Sequence, residues 1–249
     1  MKTESVVGIH SVEAVLNERP QDIVQLFVAD RQDSKLDKLL HRAQKLGLPI
    51  HSVKRSELDK RTRNARHQGI MSEVRLPKEL NEQDLDDLMG RLEQKGESPF
   101  LVMLDEVQDP HNLGAVLRTC DAVGAHALIV PKDNAAPLTS VARKVSSGGS
   151  ETVPLIRVTN LKRTMNQLQQ QGVWAYGLAG EATHSVYQTQ FSGATLIVMG
   201  SEGSGLRRLT RETCDDLISI PMQGKVESLN VSVACGVVLY EVLRQKQLA

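Results

Sequence analysis

Two textures of hydrophobic patterning divide the chain. Over roughly the first 75 residues, short apolar runs alternate with amphipathic stretches. Ser11 to Leu16 reads as helix and Gln25 to Ala29 as a short strand. Leu36, Leu39, Leu40, Ala43 and Leu46 recur at the three- and four-residue spacing of a helix face, opened by Ser34 and closed by Gly47 and Pro49. Pro49 to Val53 and Gly69 to Val74 read as two more strands, with a short helix capped by Ser56 between them. From Pro99 onward the strands become continuous apolar runs bounded by turn residues: Phe100 to Leu104, Ala127 to Val130, Val173 to Tyr176, Thr195 to Met199 and Leu217 to Ile220. Helical stretches follow or separate them at Leu113 to Val123, Ser140 to Ser146, Leu161 to Gln170 behind Thr159 and Asn160, and from about Asn230 to Gln245. Runs apolar throughout belong to strands buried on both faces, and their alternation with helices predicts a parallel sheet in an α/β layer fold. Pro77, the acids of 84–87 and the stretch Lys95 to Pro99 read as a linker carrying one surface helix. The predicted division is a small α/β unit over 1–75, a linker over 76–98 and a larger unit over 99–249.

Composition adds limits. The chain has 249 residues, of which 40% are hydrophobic and 24% charged, which excludes wholesale disorder and fibrous repeats. No apolar run approaches the ~20 residues that span a bilayer. The opening MKTESVVGIH carries one Lys and no long apolar stretch behind it, so a cytoplasmic protein with no membrane partner is expected. Cys120, Cys214 and Cys235 are too far apart for a metal knuckle and read as buried hydrophobes; no metal is expected.

The net charge is zero, with 30 Lys and Arg against 30 Asp and Glu, but the charge is unevenly placed. Residues 54–75 hold seven cations against three acids, and residues 76–98 hold seven acids against three cations. The basic run is either a solvated face or a patch for a polyanion, which works through local field and counterion release.

In a parallel sheet, ligands sit in the loops that leave the carboxyl ends of the strands. Three such loops are unusually polar or glycine-rich: 105–118, 200–208 and 221–232. In the first, Asn112 reads as the N-cap of a helix, with Arg118 almost two turns on and able to share its side. The second, MGSEGSGLRR, lacks the Lys-Ser/Thr of a P-loop and the third glycine of a dinucleotide fingerprint, yet its glycines allow close backbone approach to a ligand and hold Glu202 between them. The third brings Ser228, Asn230 and Ser232 to the start of the terminal helix, as caps or as a polar ligand edge.

Taken in order, Asn112-Leu-Gly-Ala-Val-Leu-Arg118, Met199-Gly-Ser-Glu-Gly-Ser-Gly205, and Ile220-Pro-Met222 with Ser228-Leu-Asn-Val-Ser232 resemble the three successive motifs of the SpoU (TrmH) family of S-adenosylmethionine-dependent RNA ribose 2′-O-methyltransferases. Gly8 to Val15 and His67 to Gly69 resemble that family's N-terminal substrate-binding domain, and Val130 to Asp133 and Val153 to Val158 its catalytic domain. The resemblance covers the whole chain.

It implies a SPOUT-type parallel sheet with a deep trefoil knot at the C-terminal end, a small N-terminal α/β unit resembling a ribosomal protein, and a homodimer. It also implies S-adenosylmethionine bound in the knot, chiefly by backbone groups, which points to Gly200, Ile220 and Leu229 with Met222, Ser228 and Asn230 close by. The catalytic set it implies is Arg118, Asn112 and Glu202. A guanidinium stays protonated, so Arg118 is expected to stabilise a developing alkoxide or clamp a phosphate, with Asn112 positioning the ribose and Glu202 orienting Arg118. The implied substrate is a guanosine in the peptidyl-transferase region of 23S rRNA, free or in an assembling large subunit. Lys54, Arg61, Arg63 and Arg66 would anchor the RNA while His67 and Gln68 approach a base or sugar. A ribosome-assembly factor without turnover and a tRNA-modifying relative remain as alternatives.

Overall fold

The computed structural model describes residues 3–30, 34–75, 79–201 and 203–248. The N-terminal part contains β1 (Thr3–Val7), α1 (Ile9–Glu18), β2 (Ile23–Ala29), α2 (Ser34–Lys45), β3 (Ile50–Val53), α3 (Arg55–Arg61) and β4 (Ile70–Arg75). Its four-stranded sheet has the order β1-β4-β2-β3, with β4 antiparallel to both neighbours and β2 parallel to β3. One face packs Val12, Val15 and Leu16 of α1 and Leu39, Leu40 and Ala43 of α2 against Leu26, Val28, Ile70 and Val74. The other packs Leu58 of α3 against Phe27 and Met71. Strand β1 escaped sequence reading because it begins Thr-Glu-Ser and satisfies its backbone only by pairing with β4 from the edge of the sheet. Helix α3 starts two residues earlier than expected, with Lys54 at the N-cap and no side-chain cap, so Ser56 lies inside it.

The remainder contains α4 (Glu82–Lys95), β5 (Phe100–Asp105), α5 (Pro110–Val123), β6 (Ala127–Pro131), α6 (Ser140–Ser146), α7 (Gly149–Thr152), β7 (Leu155–Val158), α8 (Leu161–Gln170), β8 (Trp174–Leu178), β9 (His184–Ser185), β10 (Thr195–Gly200), α9 (Arg208–Thr213), β11 (Asp216–Ser219) and α10 (Val231–Leu248). Among the described residues these strands form a seven-stranded sheet of order β7-β6-β5-β10-β8-β11-β9, parallel throughout as the unbroken apolar runs predict. Strand β10 arrives late in the chain and enters the centre of the sheet between β5 and β8, so the loop it leaves by emerges at mid-sheet.

Two apolar layers sandwich the sheet. On one side α5 and α10 contribute Leu113, Val116, Leu117, Cys120, Cys235, Val238 and Val242. On the other, α8 contributes Leu161, Met165 and Leu168, and α4 contributes Leu85, Met89 and Leu92. Helix α4 is therefore part of the core and not a surface helix on a linker. A reciprocal cap between Asn81 and Asp84 opens it, and Gly96 in the left-handed region closes it. Cys120 and Cys235 are buried as expected and Cys214 is half-buried; desolvation pushes the thiols of Cys214 and Cys235 up to about 12.

Candidate active site

The three polar loops leave β5, β10 and β11 at the same edge of the sheet; the second and third line a common cavity, and the first is tied to them through Asn112–Asn230 and Asp105–Arg207. In the first loop Asp109, not Asn112, caps α5: its side chain accepts from His111 N at 2.9 Å, with Pro110 in the first turn. Asn112 is thereby carried into the helix and buried, where its Oδ1 accepts from Asn230 Nδ2 at 3.1 Å. Asn230 stands immediately before α10, and its own Oδ1 accepts from Ser232 N at 3.0 Å. One amide thus caps α10 and bridges to α5, so the positive ends of two helices meet there. Arg118 does not share the side of Asn112 as expected. Six residues turn a helix through roughly 600°, about 120° short of two full turns. Asn112 accordingly points inward and Arg118 is exposed, with no hydrogen bond or ion pair to any described residue.

The second loop is built on glycine at the point where β10 ends. A Cβ on Gly200 would lie 2.0 Å from the carbonyl carbon of Gly205, because the loop doubles back through a bridge between Ser201 and Gly205. Gly203 and Gly205 hold φ of 88° and 64°, in the region that side chains disfavour. Beyond the loop, Arg207 is tied to Asp105, the last residue of β5, which is wholly buried: Arg207 N and Nε donate to its carboxylate at 3.0 and 2.7 Å. Glu202, expected to orient Arg118, lies outside the described residues.

Between the second and third loops is a cavity of about 530 Å³. Of the six residues expected to hold a cofactor, Gly200, Ile220, Met222, Ser228 and Leu229 line it; Asn230 instead faces Asn112. Its walls combine apolar side chains, Met199, Ile218 and Val231 among them, with main chain from the glycine loop and with Ser201, Ser204, Ser219 and Ser228. The loop leaving β8, residues 178–181, also lines the cavity and was not singled out from the sequence, although it too leaves a carboxyl end of the parallel sheet. It brings Glu181, which pairs with Arg211; with Glu227, it supplies the charge in the lining among the described residues.

The basic run of the N-terminal part behaves as two populations. Lys54, Arg61, Arg63 and Arg66 are exposed. Arg61 pairs with Glu57 at 2.8 Å and lies 4.2 Å from the centroid of the Phe27 ring, which fixes its attitude. His67, expected to approach RNA, does not reach the surface. It is 3% exposed, its Nε2 lies 2.9 Å from Asp59 Oδ1, and its Nδ1 accepts from Gly69 N at 3.0 Å. With both ring nitrogens engaged, it holds the turn before β4. Gln68 is exposed, but its Oε1 accepts from Ile9 N at 3.2 Å and so occupies the first turn of α1. Among the described residues, no group of three His, Cys, Asp or Glu could hold a metal ion, and no helix is long and apolar enough to cross a membrane.

Comparisons with known proteins agree with this anatomy. Residues 99–240 match the model of the SpoU rRNA Methylase family, and residues 5–80 match that described as RNA 2′-O ribose methyltransferase substrate binding. The chain is 54% identical over 247 residues to the 23S rRNA (guanosine-2′-O-)-methyltransferase RlmB of Vibrio cholerae, covering 99% of this chain and 98% of that one. It is 50% identical over 245 residues to the protein of the same name from Escherichia coli, covering 98% and 99%. In fold it is similar to the SpoU methyltransferase AviRb from Streptomyces viridochromogenes, solved with AdoMet, at a TM-score of 0.81 and 24% identity over 99% of this chain and 92% of that one.

Proposed function

The chain belongs to the SpoU rRNA methylase family, and from that premise we propose that it transfers a methyl group from S-adenosylmethionine to the ribose 2′-hydroxyl of a guanosine in the peptidyl-transferase region of 23S rRNA. The observation that carries this reading is the cavity at the carboxyl ends of β10, β8 and β11, lined by side chains and by the main chain of the glycine loop and adjoining the Asn112–Asn230 bridge.

The residues present fit the cofactor. The cavity has the size of a nucleoside with a short tail, Ile220 and Leu229 offer apolar cover to an adenine, and the main chain of both loops offers hydrogen-bonding groups to its edge. Glu181 and Glu227 suit its cationic end, and a Cβ on Gly200 would disrupt the loop that forms the wall. Gly200, Ile220, Met222, Ser228 and Leu229 would hold it, with Asn230 fixing the third loop from behind. When bound, the group would supply an electrophilic methyl on a sulfonium: the ribose oxygen would take the methyl in line as the C–S bond breaks and the thioether leaves, with the hydroxyl proton released to solvent.

Asn112, buried and held by Asn230, acts on the ribose from behind, by fixing the third loop at the start of α10. Arg118 keeps its proton and directs guanidinium N–H groups at the oxygen as negative charge develops on it, or at the phosphate beside it. Its exposure supports that role, because RNA can then reach the guanidinium fork. Glu202 orients Arg118. Lys54, Arg61, Arg63 and Arg66 grip the RNA backbone, and Gln68 stands at the margin of that surface.

The proposed division is an RNA-binding module over 1–75 and a methyltransferase domain that takes in α4 together with 99–249, supported by the two separate sheets and by the packing of α4 in the larger core. The late entry of β10 into mid-sheet and the return of the third loop beside it support a C-terminal trefoil knot. Val233 and Tyr240, each 53% exposed on α10, support a homodimer. An rRNA substrate, free or in an assembling subunit, is consistent with the cytoplasm.

The test is transfer from methyl-labelled cofactor to a 23S rRNA transcript, followed by nuclease digestion. Label is expected in 2′-O-methylguanosine. Label in a base-methylated nucleoside, or none at all, overturns the proposal.

A further inference from the structure

Four charged side chains that the methyl-transfer site does not use are buried together where the small module meets α6 and α7. Glu4 of β1 and Arg19, just beyond α1, come from the module; Arg143 of α6 and Glu151 of α7 come from the larger unit. Arg19 Nε lies 2.5 Å from Glu151 Oε2, Arg143 Nη1 lies 2.9 Å from Glu151 Oε1, Arg143 Nε lies 2.9 Å from Glu4 Oε1, and Arg19 Nη2 closes the ring 3.7 Å from Glu4 Oε1. The side chains are between 4% and 12% exposed. Burial raises the Glu4 carboxyl above its ordinary range even with two arginines beside it. Four charges removed from water gain little net stability over apolar packing, but each demands its own partner in a fixed place, so the network selects one attitude of the two units.

Beside this ring is a turn that touches both units through glycine. Ser147 and Gly148 have φ of 53° and 107°. A Cβ on Gly148 would lie 3.1 Å from Ala14 Cβ of α1, and one on Gly149 would lie 2.8 Å from Leu117 O and 3.2 Å from Arg118 Cα of α5. Thr152 Oγ1 donates to Asp121 Oδ1 at 2.5 Å, tying the same short helix to α5. The module's helix, the glycine pair and the backbone of Arg118 are thus stacked in contact, with no side chain between them to absorb a shift.

We propose that Glu4, Arg19, Arg143 and Glu151, acting through the Gly148–Gly149 turn, are positioning residues that hold the RNA-binding module at one attitude to Arg118, so that RNA gripped by the module presents its ribose to that side chain. This rests on the methyltransferase reading above. The same ring borders a cleft of about 760 Å³ with Arg61 and Arg63 on the module's side and Lys144 on the other, so the spacing it sets is also that of cationic groups facing RNA.

Arg19→Met and, independently of any charge, Ala14→Leu test the inference in the full-length protein. Turnover on 23S rRNA at saturating cofactor, RNA affinity by filter binding and cofactor affinity by calorimetry are measured together, with the thermal midpoint as a check on folding. Both variants are expected to lower kcat at least tenfold, with RNA affinity within threefold and cofactor affinity within twofold of the unsubstituted protein; Arg19→Lys recovers part of the loss. Equal turnover in folded variants overturns the proposal, and so does a loss of RNA affinity that accounts for the whole loss of activity. Absence of transfer by the unsubstituted protein removes the methyltransferase reading and this proposal with it.

Discussion

The cofactor cavity and the basic surface of the small module are built from different parts of the polypeptide. The cavity takes its shape from main chain: two loops, a glycine whose missing side chain lets one of them double back, and an amide that caps one helix while bridging to another. The module's surface is side chain alone, with Lys54, Arg61, Arg63 and Arg66 exposed at the N-cap of α3, at its last residue and in the turn after it. A wall of main chain fails when atoms are added to it and tolerates their removal. A field of cations loses affinity in increments as charges are removed, and salt weakens it. Arg118 belongs to neither class, since it is a single side chain placed where charge develops in the transition state.

Substitutions can break or sharpen this contrast. The largest effect is expected from Arg118→Ala, which removes stabilisation realised only in the transition state. Turnover should fall roughly 100- to 1000-fold, as for loss of an oxyanion donor, with cofactor affinity within twofold. Single-turnover rates and calorimetry check both halves. Next comes Gly200→Ala, one added methyl in the wall. Its Cβ would sit 2.0 Å from the carbonyl carbon of Gly205, and overpacking of that kind costs about 1–3 kcal/mol, or roughly fivefold to 150-fold in cofactor affinity by calorimetry. On the module, Arg61→Glu with Arg63→Glu should weaken RNA binding about tenfold and flatten its dependence on salt, since each lost phosphate contact lowers the slope by about 0.7 for single strands. Cofactor affinity should not move, and an equal loss of both would mean misfolding. The smallest effect is expected from Ser228→Ala, under about threefold in cofactor affinity, because truncation leaves the main chain that forms the wall in place. A large loss there would transfer the cavity to the side-chain class.

Legibility from sequence follows the same line. The parallel sheet was readable because β5, β6 and β10 are apolar at nearly every position, and α8 because Asn160 caps a clear helix face. Strands that pair from an edge, such as β1, carry no such run. The acidic residues of α4 hid the inward stripe of Leu85, Met89 and Leu92 that makes it a core helix. At the site, the motif residues identified the three loops but not their directions. The Asp109 cap moved Asn112 inward, and helical rotation parted it from Arg118. His67 was misread because its partner Asp59 is eight residues away on another element. The ring linking Arg19 to Glu151 spans 132 residues, and no local pattern announces it.

The most direct test of the account replaces the target guanosine of a reconstituted 23S rRNA fragment by 2′-deoxyguanosine and follows transfer of labelled methyl. The account predicts that transfer to that fragment disappears while RNA binding and cofactor binding are retained. Transfer at the rate of the ribose-containing fragment would contradict it, because the acceptor would then be an atom other than the sugar oxygen.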